Sequence, residues 1–259
     1  KVTSNIIIAF LLATPAQAAA LTVTIDGEPL PGESIAEDGT TYVPLVPFLQ
    51  FLGDWETIWD PDTRSAFAQT DLFGLRVPAQ EDHVLADGFA FDLDTASLVR
   101  SGSTYVPLRP LANLLGADVS FVDWNSPIAV SSPRAAEHSE DDLYWLSRII
   151  NAESRGESLR GQVAVGNVIL NRVASSRFPN TIRDVIFDSK DGVQFTPVSN
   201  GTIYREPTAQ SVLAARLALN GTDIAGDSLY FFNPSYSSGS WVRRNRPYHS
   251  AIGCHLFYQ

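Results

Sequence analysis

Residues that build covalent crosslinks and metal centres are almost absent from this sequence. A single cysteine, Cys254, stands among 259 residues, so no disulfide can form within the chain and no paired-cysteine metal site can be built. The four histidines are scattered and match no zinc motif: His83, His138, His249 and His255. We therefore expect no metal ion and no cofactor.

Positive charge is the second shortage. The chain carries 18 Lys and Arg residues against 29 Asp and Glu residues, a formal net charge of −11. An acidic surface is repelled by phosphate, which excludes nucleic acid as the expected partner and disfavours tight binding to anionic membranes or teichoic acids. A neutral glycan is electrostatically an easier ligand.

Long apolar runs are confined to the beginning of the chain. The run Ile6–Ala13 follows Lys1 and precedes Ala-Gln-Ala at positions 16–18. This order of basic, apolar and small residues predicts a secretory signal peptide at residues 1–18, and hence an exported protein. The alternative is an N-terminal membrane anchor, for which the run is short. Methionine is absent throughout, so the sequence leaves the true N-terminus open.

Strand-type patterning dominates residues 19–132. Short runs rich in Val, Thr, Ile and Tyr alternate with polar residues and are separated by Asp-Gly turns. The segment Gly39–Gly53, GTTYVPLVPFLQFLG, recurs as Gly102–Gly116, GSTYVPLRPLANLLG. Each copy predicts a strand ending at Tyr-Val-Pro and a short helix opened by Pro47 or Pro110. We therefore predict one compact β-rich domain built from a duplicated ββα-like unit.

The segment TYVPLRPLANLLGADVSFVDW in this region resembles the copper amine oxidase N-terminal-like, or stalk, domain that recurs in exported proteins of Gram-positive bacteria. The resemblance implies a scaffold, or a module for attachment to the wall or spore surface. It does not imply copper here, because His83 is the only histidine in the region. For Trp55, Trp59 and Trp124, a sugar-binding face remains open as the alternative to core packing.

Helical patterning follows a polar, proline-containing segment, residues 133–142, which we predict to be a linker. Ser139 and Asp142 form a capping-box-like start to the first helix. Further helices are predicted at Leu159–Ser175 and Thr208–Asn220, and strand-like pieces such as SLYFFNP and HLFYQ follow. This part should be a small α+β domain, which places the whole chain in the α+β class.

A carboxylate lies on the apolar face of the first of these helices. The spacing that keeps side chains on one helix face connects Leu143, Leu146, Ile150 and Glu153. Glu153 therefore points the same way as the apolar residues, and desolvation should raise its pKa toward the range of a general acid. The pattern alone leaves open that Glu153 pairs with Arg148 or Arg172, or lies in water at the domain edge.

The blocks NAESRGESLRGQVAVGNVILNRVASSRFPNTIRDVIF, QFTPVSNGTI and SAIGCHLFYQ resemble the SleB-type cell-wall hydrolases, the spore-cortex-lytic enzymes of germination. The resemblance covers residues 143–259. It implies a fold related to lysozyme and the lytic transglycosylases, with Glu153 as the catalytic acid. It also implies cleavage between N-acetylmuramic acid and N-acetylglucosamine in peptidoglycan. Such a transglycosylase needs only one carboxylate and leaves 1,6-anhydromuramyl ends.

Further site residues are suggested by the resemblance and by residue type. The substrate-binding candidates fall into three pairs. Gln194 and Phe195 would supply an amide and an aromatic ring for an N-acetyl sugar. Asn171 and Arg172 could orient Glu153, and Tyr230 and Trp241 could line the cleft. Glu157 is the candidate second carboxylate, with a solvated loop residue or a backbone hydrogen-bond partner as the alternative. Cys254 stands where we expect asparagine in the family, so no function is carried over to it.

Several functions remain open on the sequence. Besides a transglycosylase, the chain could be a muramidase that uses Glu157 or another acid as its base, an N-acetylmuramoyl-L-alanine amidase, or a wall-binding protein without activity. An amidase would need a zinc cluster or a Cys-His pair. The stalk-like domain replaces the peptidoglycan-binding repeat usual in spore-cortex enzymes. Cortex and vegetative wall therefore both remain open as substrates, as do a regulatory partner and the oligomeric state.

Overall fold

The computed structural model describes residues 21–71, 73–123, 126–133, 138–190 and 192–259. The predicted signal peptide and Trp124 lie outside these residues. Within them, the first part is β-rich and the second part mixes helices with a small sheet, which confirms the α+β class. No described helix combines the length and the apolar character needed to cross a membrane.

The β-rich part consists of short strands with two helices between them. In chain order they are β1 Val23–Ile25, β2 Glu28–Pro29, β3 Ile35–Glu37, β4 Thr40–Pro44, α1 Leu45–Leu52, β5 Glu56–Asp60, β6 Ser65–Gln69, β7 Gly74–Pro78, β8 His83–Ala86, β9 Phe89–Asp92, β10 Leu98–Arg100, β11 Ser103–Pro107, α2 Leu108–Leu114, β12 Asp118–Ser120 and β13 Ile128–Ser131. They form sheets in the orders β12-β13-β1-β2, β10-β11-β4-β3 and β5-β6-β7-β8-β9.

The repeat predicted from the sequence has the same elements in both copies. β3, β4 and α1 form the first copy, and β10, β11 and α2 form the second. β4 pairs antiparallel with β11, Val43 opposite Val106, so the two copies join through their second strands. The predicted helix starts were wrong by two residues, because the helices begin at Leu45 and Leu108 and the prolines occupy the third position. Proline is tolerated throughout a first turn, whose N–H groups have no helical partner.

The second part is built on three packed helices and a three-stranded sheet. Its elements are α3 Glu140–Ser154, α4 Leu159–Ala174, α5 Ile182–Ile186, α6 Thr196–Asn200, α7 Ala209–Leu219, β14 Tyr230–Phe232, α8 Ser240–Asn245, β15 Tyr248–Ile252 and β16 His255–Tyr258. α3, α4 and α7 pack against one another, and the sheet order is β14-β16-β15. Buried polar groups fix the helix packing, since the Ser211 hydroxyl donates to Gln162 Oε1 at 2.8 Å.

The predicted helix ends are confirmed to within about one residue. Ser139 and Asp142 form the capping box at the start of α3, in which Ser139 Oγ accepts from the Asp142 N–H at 3.1 Å. The Asp142 carboxylate accepts in return from the Ser139 N–H at 3.0 Å. Thr208 caps α7 through its side chain, since its Oγ1 accepts from the Ser211 N–H. The first turn of α3 lies within the range predicted as linker, so part of that range is helical.

The two parts touch directly through the segment that follows α7. Thr222 Oγ1 donates to the carbonyl oxygen of Leu114 at 2.9 Å. The Asp223 N–H donates to Asn113 Oδ1 at 3.1 Å. A Cβ added to Gly116 would lie 2.1 Å from the carbonyl oxygen of Asn220. The backbone that follows α2 therefore lies directly against the backbone of the second part.

Candidate functional site

Glu153 lies in the last turn of α3, where the sequence places it. Leu146 and Ile150 are fully buried, and Leu143 and Glu153 are half-buried, so the predicted apolar face with a carboxylate at its end is confirmed. The helix ends one residue later, at Ser154, whose hydroxyl donates back to the Ile150 carbonyl at 2.8 Å. The carboxylate is thus held at a rigid helix end.

The surroundings of Glu153 favour its protonated form. Burial raises the pKa of the carboxyl to about 7, and the positive charge of Arg172 opposes that rise. Glu153 has no hydrogen-bond or ion-pair partner among the residues that the structure describes. Arg148, one predicted partner, instead pairs with Glu206 at 2.8 Å. Near neutral pH, the carboxyl is therefore divided between an acid and its conjugate base.

Arg172 occupies the centre of the site. Its Nε donates to the carbonyl oxygen of Leu229 at 2.8 Å. Its guanidinium lies over three aromatic rings, 4.9 Å from the centroid of Phe178, 5.2 Å from that of Phe195 and 5.6 Å from that of Tyr230. Burial lowers the pKa of Arg172 to about 10, so it stays charged at neutral pH. Its Nη1 is buried and has no partner among the described residues, which leaves one donor for a ligand or for Glu153.

A second carboxylate near Arg172 was missed in the sequence. The charges of both Asp188 and Glu153 act on the Arg172 guanidinium and oppose the lowering of its pKa. Asp188 is half-buried and accepts the Lys190 N–H at 3.0 Å. Its segment reads as a polar loop, in which an acid would be expected to face water, so the sequence held no signal for it.

Two cleft candidates, Tyr230 and Trp241, lie together. Their ring centroids are 5.9 Å apart, and Trp241 is 53% exposed, an unusual degree for a tryptophan. The Arg246 guanidinium lies 4.9 Å from the Tyr230 ring and 5.3 Å from the Trp241 ring. Together with Arg172, these rings make a surface of aromatic and cationic groups beside the carboxyl.

Two other candidates are engaged elsewhere. The Asn171 amide donates to the carbonyl oxygens of Gly226 at 2.6 Å and Ser228 at 3.0 Å, so it holds the segment before β14. Gln194 is half-buried, and its amide donates to the Gly192 carbonyl at 3.0 Å. Their predicted contacts with substrate stay predictions.

Glu157 is tied to the hairpin formed by β15 and β16. Its Oε2 accepts the Cys254 N–H at 3.0 Å, and its Oε1 lies 3.6 Å from His255 Nδ1. A Cβ added to Gly253 would lie 1.9 Å from Glu157 Oε2, so the turn closes directly over the carboxylate. This geometry favours the backbone-partner alternative, and a role as second carboxylate stays a prediction.

Neither the candidate metal ligands nor the large cavity lies at Glu153. Among the described residues, one group of side chains could hold a metal ion: Glu81, Asp82 and His83, in the β-rich part. A cavity of about 940 Å³ is lined by Trp55 and Asp71 of that part and by Asn220.

Comparison with known families matches both parts of the chain. The model of the Cell Wall Hydrolase family matches residues 156–258, and the Copper amine oxidase N-terminal domain model matches residues 24–128. The first match begins three residues after Glu153, so it does not itself include the candidate acid.

The similar proteins include spore cortex-lytic enzymes and a cell wall hydrolase. The spore cortex-lytic enzyme of Bacillus cereus is 42% identical over 120 residues, which are 46% of this chain and 45% of that protein. That of Oceanobacillus iheyensis is 37% identical over 142 residues, 55% of this chain and 49% of that protein. Cell wall hydrolase CwlJ of Bacillus subtilis is 30% identical over 125 residues, 46% of this chain and 84% of that protein. The chain thus spans about half the length of the cortex-lytic enzymes but most of CwlJ.

A solved structure is similar over the same part of the chain. It is the catalytic domain of the germination-specific lytic transglycosylase SleB from Bacillus anthracis. The sequence identity is 42% and the TM-score is 0.43, over 47% of this chain and 97% of that one.

Proposed function

Because this chain belongs to the cell wall hydrolase family, we propose that it is an exported enzyme that cleaves the glycan strands of peptidoglycan. The observation that carries this proposal is Glu153: a half-buried carboxyl at a helix end, without a partner in the described part of the chain, and with a pKa near 7. A carboxyl that is partly protonated at neutral pH can act as the acid in glycoside cleavage.

The proposed reaction is lytic transglycosylation. Glu153 protonates the oxygen of the bond between N-acetylmuramic acid and N-acetylglucosamine, and that bond breaks at the muramyl anomeric carbon. The resulting carboxylate takes the proton from the C6 hydroxyl of the same muramyl residue, whose oxygen attacks the anomeric carbon. The ring closes as a 1,6-anhydro product, the acid is regenerated and no water is consumed. A tethered hydroxyl replaces an activated water through its high effective concentration.

Arg172 suits the second half of this cycle. Its positive charge stabilises the Glu153 carboxylate that exists after the first proton transfer. Burial of the pair keeps that interaction strong, because little water screens it. Tyr230 and Trp241 would supply faces on which sugar rings pack, and the free Nη1 of Arg172 would supply a hydrogen-bond donor.

A muramidase is the second candidate, and one observation favours it. Asp188 shares Arg172 with Glu153, so a second carboxylate is available to activate water. Glu157 is less suited to that task, because its oxygens are occupied by the hairpin.

The amidase alternative is disfavoured by Cys254. The nearby charge of Glu157 and its hydrogen bond raise the pKa of the Cys254 thiol, which opposes formation of the nucleophilic thiolate. A cysteine amidase would require the opposite arrangement.

Product analysis tests the function directly. Purified sacculi would be digested with the wild-type chain, Glu153→Gln and Asp188→Asn, and the released fragments weighed by mass spectrometry. We expect fragments lighter by one water than reducing-end fragments, no release by Glu153→Gln, and the same anhydro products from Asp188→Asn. Reducing ends that vanish in Asp188→Asn would establish the muramidase instead, and normal turnover by Glu153→Gln would refute both.

The site of action and the role of the β-rich part belong to the same proposal. Relatives named as spore cortex-lytic enzymes support a substrate in the spore cortex during germination of a Gram-positive bacterium, and vegetative wall is the alternative. Residues 24–128 would attach the enzyme to the wall or spore surface. Digestion of cortex and vegetative sacculi in parallel, with and without residues 21–132, separates these roles.

A further inference from the structure

The end of the chain carries positive charge without any negative charge to balance it. Residues 228–259 contain three arginines, Arg243, Arg244 and Arg246, and neither Asp nor Glu, although the whole chain has 29 acidic residues. We refer to these three residues as the arginine cluster. Such a segregation inside an acidic protein produces a local field opposite to that of the rest of the surface.

The arginine cluster is fixed in place without the use of carboxylates. The Nε atoms of Arg243 and Arg244 donate to the backbone carbonyls of Ser238 at 3.1 Å and Ser240 at 3.0 Å. Among the described residues, no member of the cluster forms an ion pair. The guanidinium ends are thus oriented by the protein while their charge stays uncompensated.

Aromatic rings pack against the cluster. The Arg243 guanidinium lies 5.1 Å from the Phe232 ring, which itself stacks on Tyr258. Gly239, at φ +55°, begins the turn into α8, and any side chain there would collide with Phe232. α8 contains no buried residue, so its polar face is open to a ligand.

The cluster is continuous with the proposed cleft. Arg246 and Arg172 lie over the same Tyr230 ring, at 4.9 and 5.6 Å, and Arg172 in turn acts on Glu153. The Arg246 Nε is buried without a partner among the described residues. A glycan strand that presents its scissile bond to Glu153 would therefore extend past cationic donors.

We propose that the arginine cluster binds carboxylates carried by the peptide stems of the peptidoglycan strand, which rests on the proposed function. Guanidinium groups bind carboxylates through paired, charge-assisted hydrogen bonds. Polymer phosphate is the alternative anionic ligand, and strands freed of teichoic acid remove it from the test. The cluster would give the enzyme a preference for stem-bearing stretches of a strand over stretches without carboxylates.

The test changes only the charge of the substrate. Soluble, teichoic-acid-free strands would be compared before and after conversion of their carboxylates to amides with ammonia and a carbodiimide. The proteins are the full chain, the double variant Arg243→Gln/Arg244→Gln and a control, Arg64→Gln/Arg109→Gln. The control removes the same charge from exposed positions of the β-rich part.

For the wild type and the control, we expect kcat/KM to fall about tenfold when the strands are amidated, mainly through KM, a factor equivalent to 1.4 kcal/mol. The double variant should show that lower value on both strands. Equal kcat/KM of wild type and double variant on native strands would overturn the proposal. So would an equal loss on native and amidated strands.

A binding measurement separates this inference from the function. In the Glu153→Gln background, the affinity for native strands should exceed that for amidated strands, and the double substitution should remove the difference. If that difference is present and the wild type cleaves neither strand, the proposed function fails and the carboxylate site stands. If the difference is absent, the site fails whatever the enzyme cleaves.

Discussion

Replacement of Glu153 by glutamine should stabilise the protein at alkaline pH while it abolishes activity. The folded protein raises the pKa of Glu153 from its ordinary value of 4.5 to about 7. Below pH 4.5 the carboxyl is protonated in both the folded and the unfolded chain. Above pH 7 it is ionised in both, and the folded state bears the cost of a desolvated charge. The stability contributed by this group therefore falls as the pH rises between these values.

The magnitude follows from the pKa difference. Each unit is equivalent to 1.36 kcal/mol, so the rise from 4.5 to about 7 corresponds to about 3 kcal/mol. Glutamine is nearly isosteric and uncharged at every pH. The free energy of unfolding of Glu153→Gln relative to wild type should therefore increase by about 3 kcal/mol between pH 4 and pH 8.

Urea unfolding at a series of pH values from 4 to 9 measures this difference. Subtraction of the wild-type curve cancels every titration that the two proteins share. The control Glu33→Gln makes the same chemical change at an exposed residue and measures the effect of the substitution itself. A flat difference curve for Glu153→Gln would refute the claim that a desolvated carboxylate lies at the end of α3, and with it the basis for a general acid.

Three further predictions concern the neighbours of the acid and the contact between the two parts. Arg172→Gln removes the charge that lowers the pKa of Glu153, so the alkaline limb of kcat/KM, near pH 7 in the wild type, should move to higher pH; an unmoved limb would contradict the pairing. Glu157→Ala should lower stability by about 1–2 kcal/mol through loss of its backbone hydrogen bond, while turnover by the folded fraction persists; loss of turnover would favour the second-carboxylate role. Gly116→Ala should destabilise more than Gly102→Ala, because both positions have φ near +75° but only the first would bring a Cβ against a backbone carbonyl of the second part; calorimetry compares their melting temperatures.

Features that depend only on residues close together in the sequence could be predicted from the sequence. The position of Glu153 followed from the spacing along α3, since each helical turn returns the chain to the same face. The Ser139–Asp142 capping box was readable because its hydrogen-bonding groups lie within four residues. The duplicated unit was visible because each copy repeats its own strand and helix signals.

Features assembled from distant segments were beyond this kind of prediction. Arg172, Asp188 and Tyr230 come from a helix, a loop and a strand, and only the fold brings them together. The partner of Glu157 lies near the end of the chain, and helical spacing says nothing about a residue past the helix end. The arginine cluster was present in the sequence as Arg-Arg-Asn-Arg within a stretch that has no acidic residue, but the contact of Arg246 with the Tyr230 ring is a property of the structure.

The contact between the two parts has a bearing on the chemistry of the site. The segment that follows α7 is held on one side by Leu114 of α2, through Thr222. On the other side α4 holds it through Asn167, whose amide donates to the Thr222 carbonyl at 2.7 Å.

The same segment ends at Leu229, the residue whose carbonyl fixes the Nε of Arg172. Arg172 in turn moderates the rise in the pKa of Glu153. The β-rich part therefore contacts the short stretch of backbone that leads to Leu229, whose carbonyl binds the guanidinium that moderates the pKa of the candidate acid.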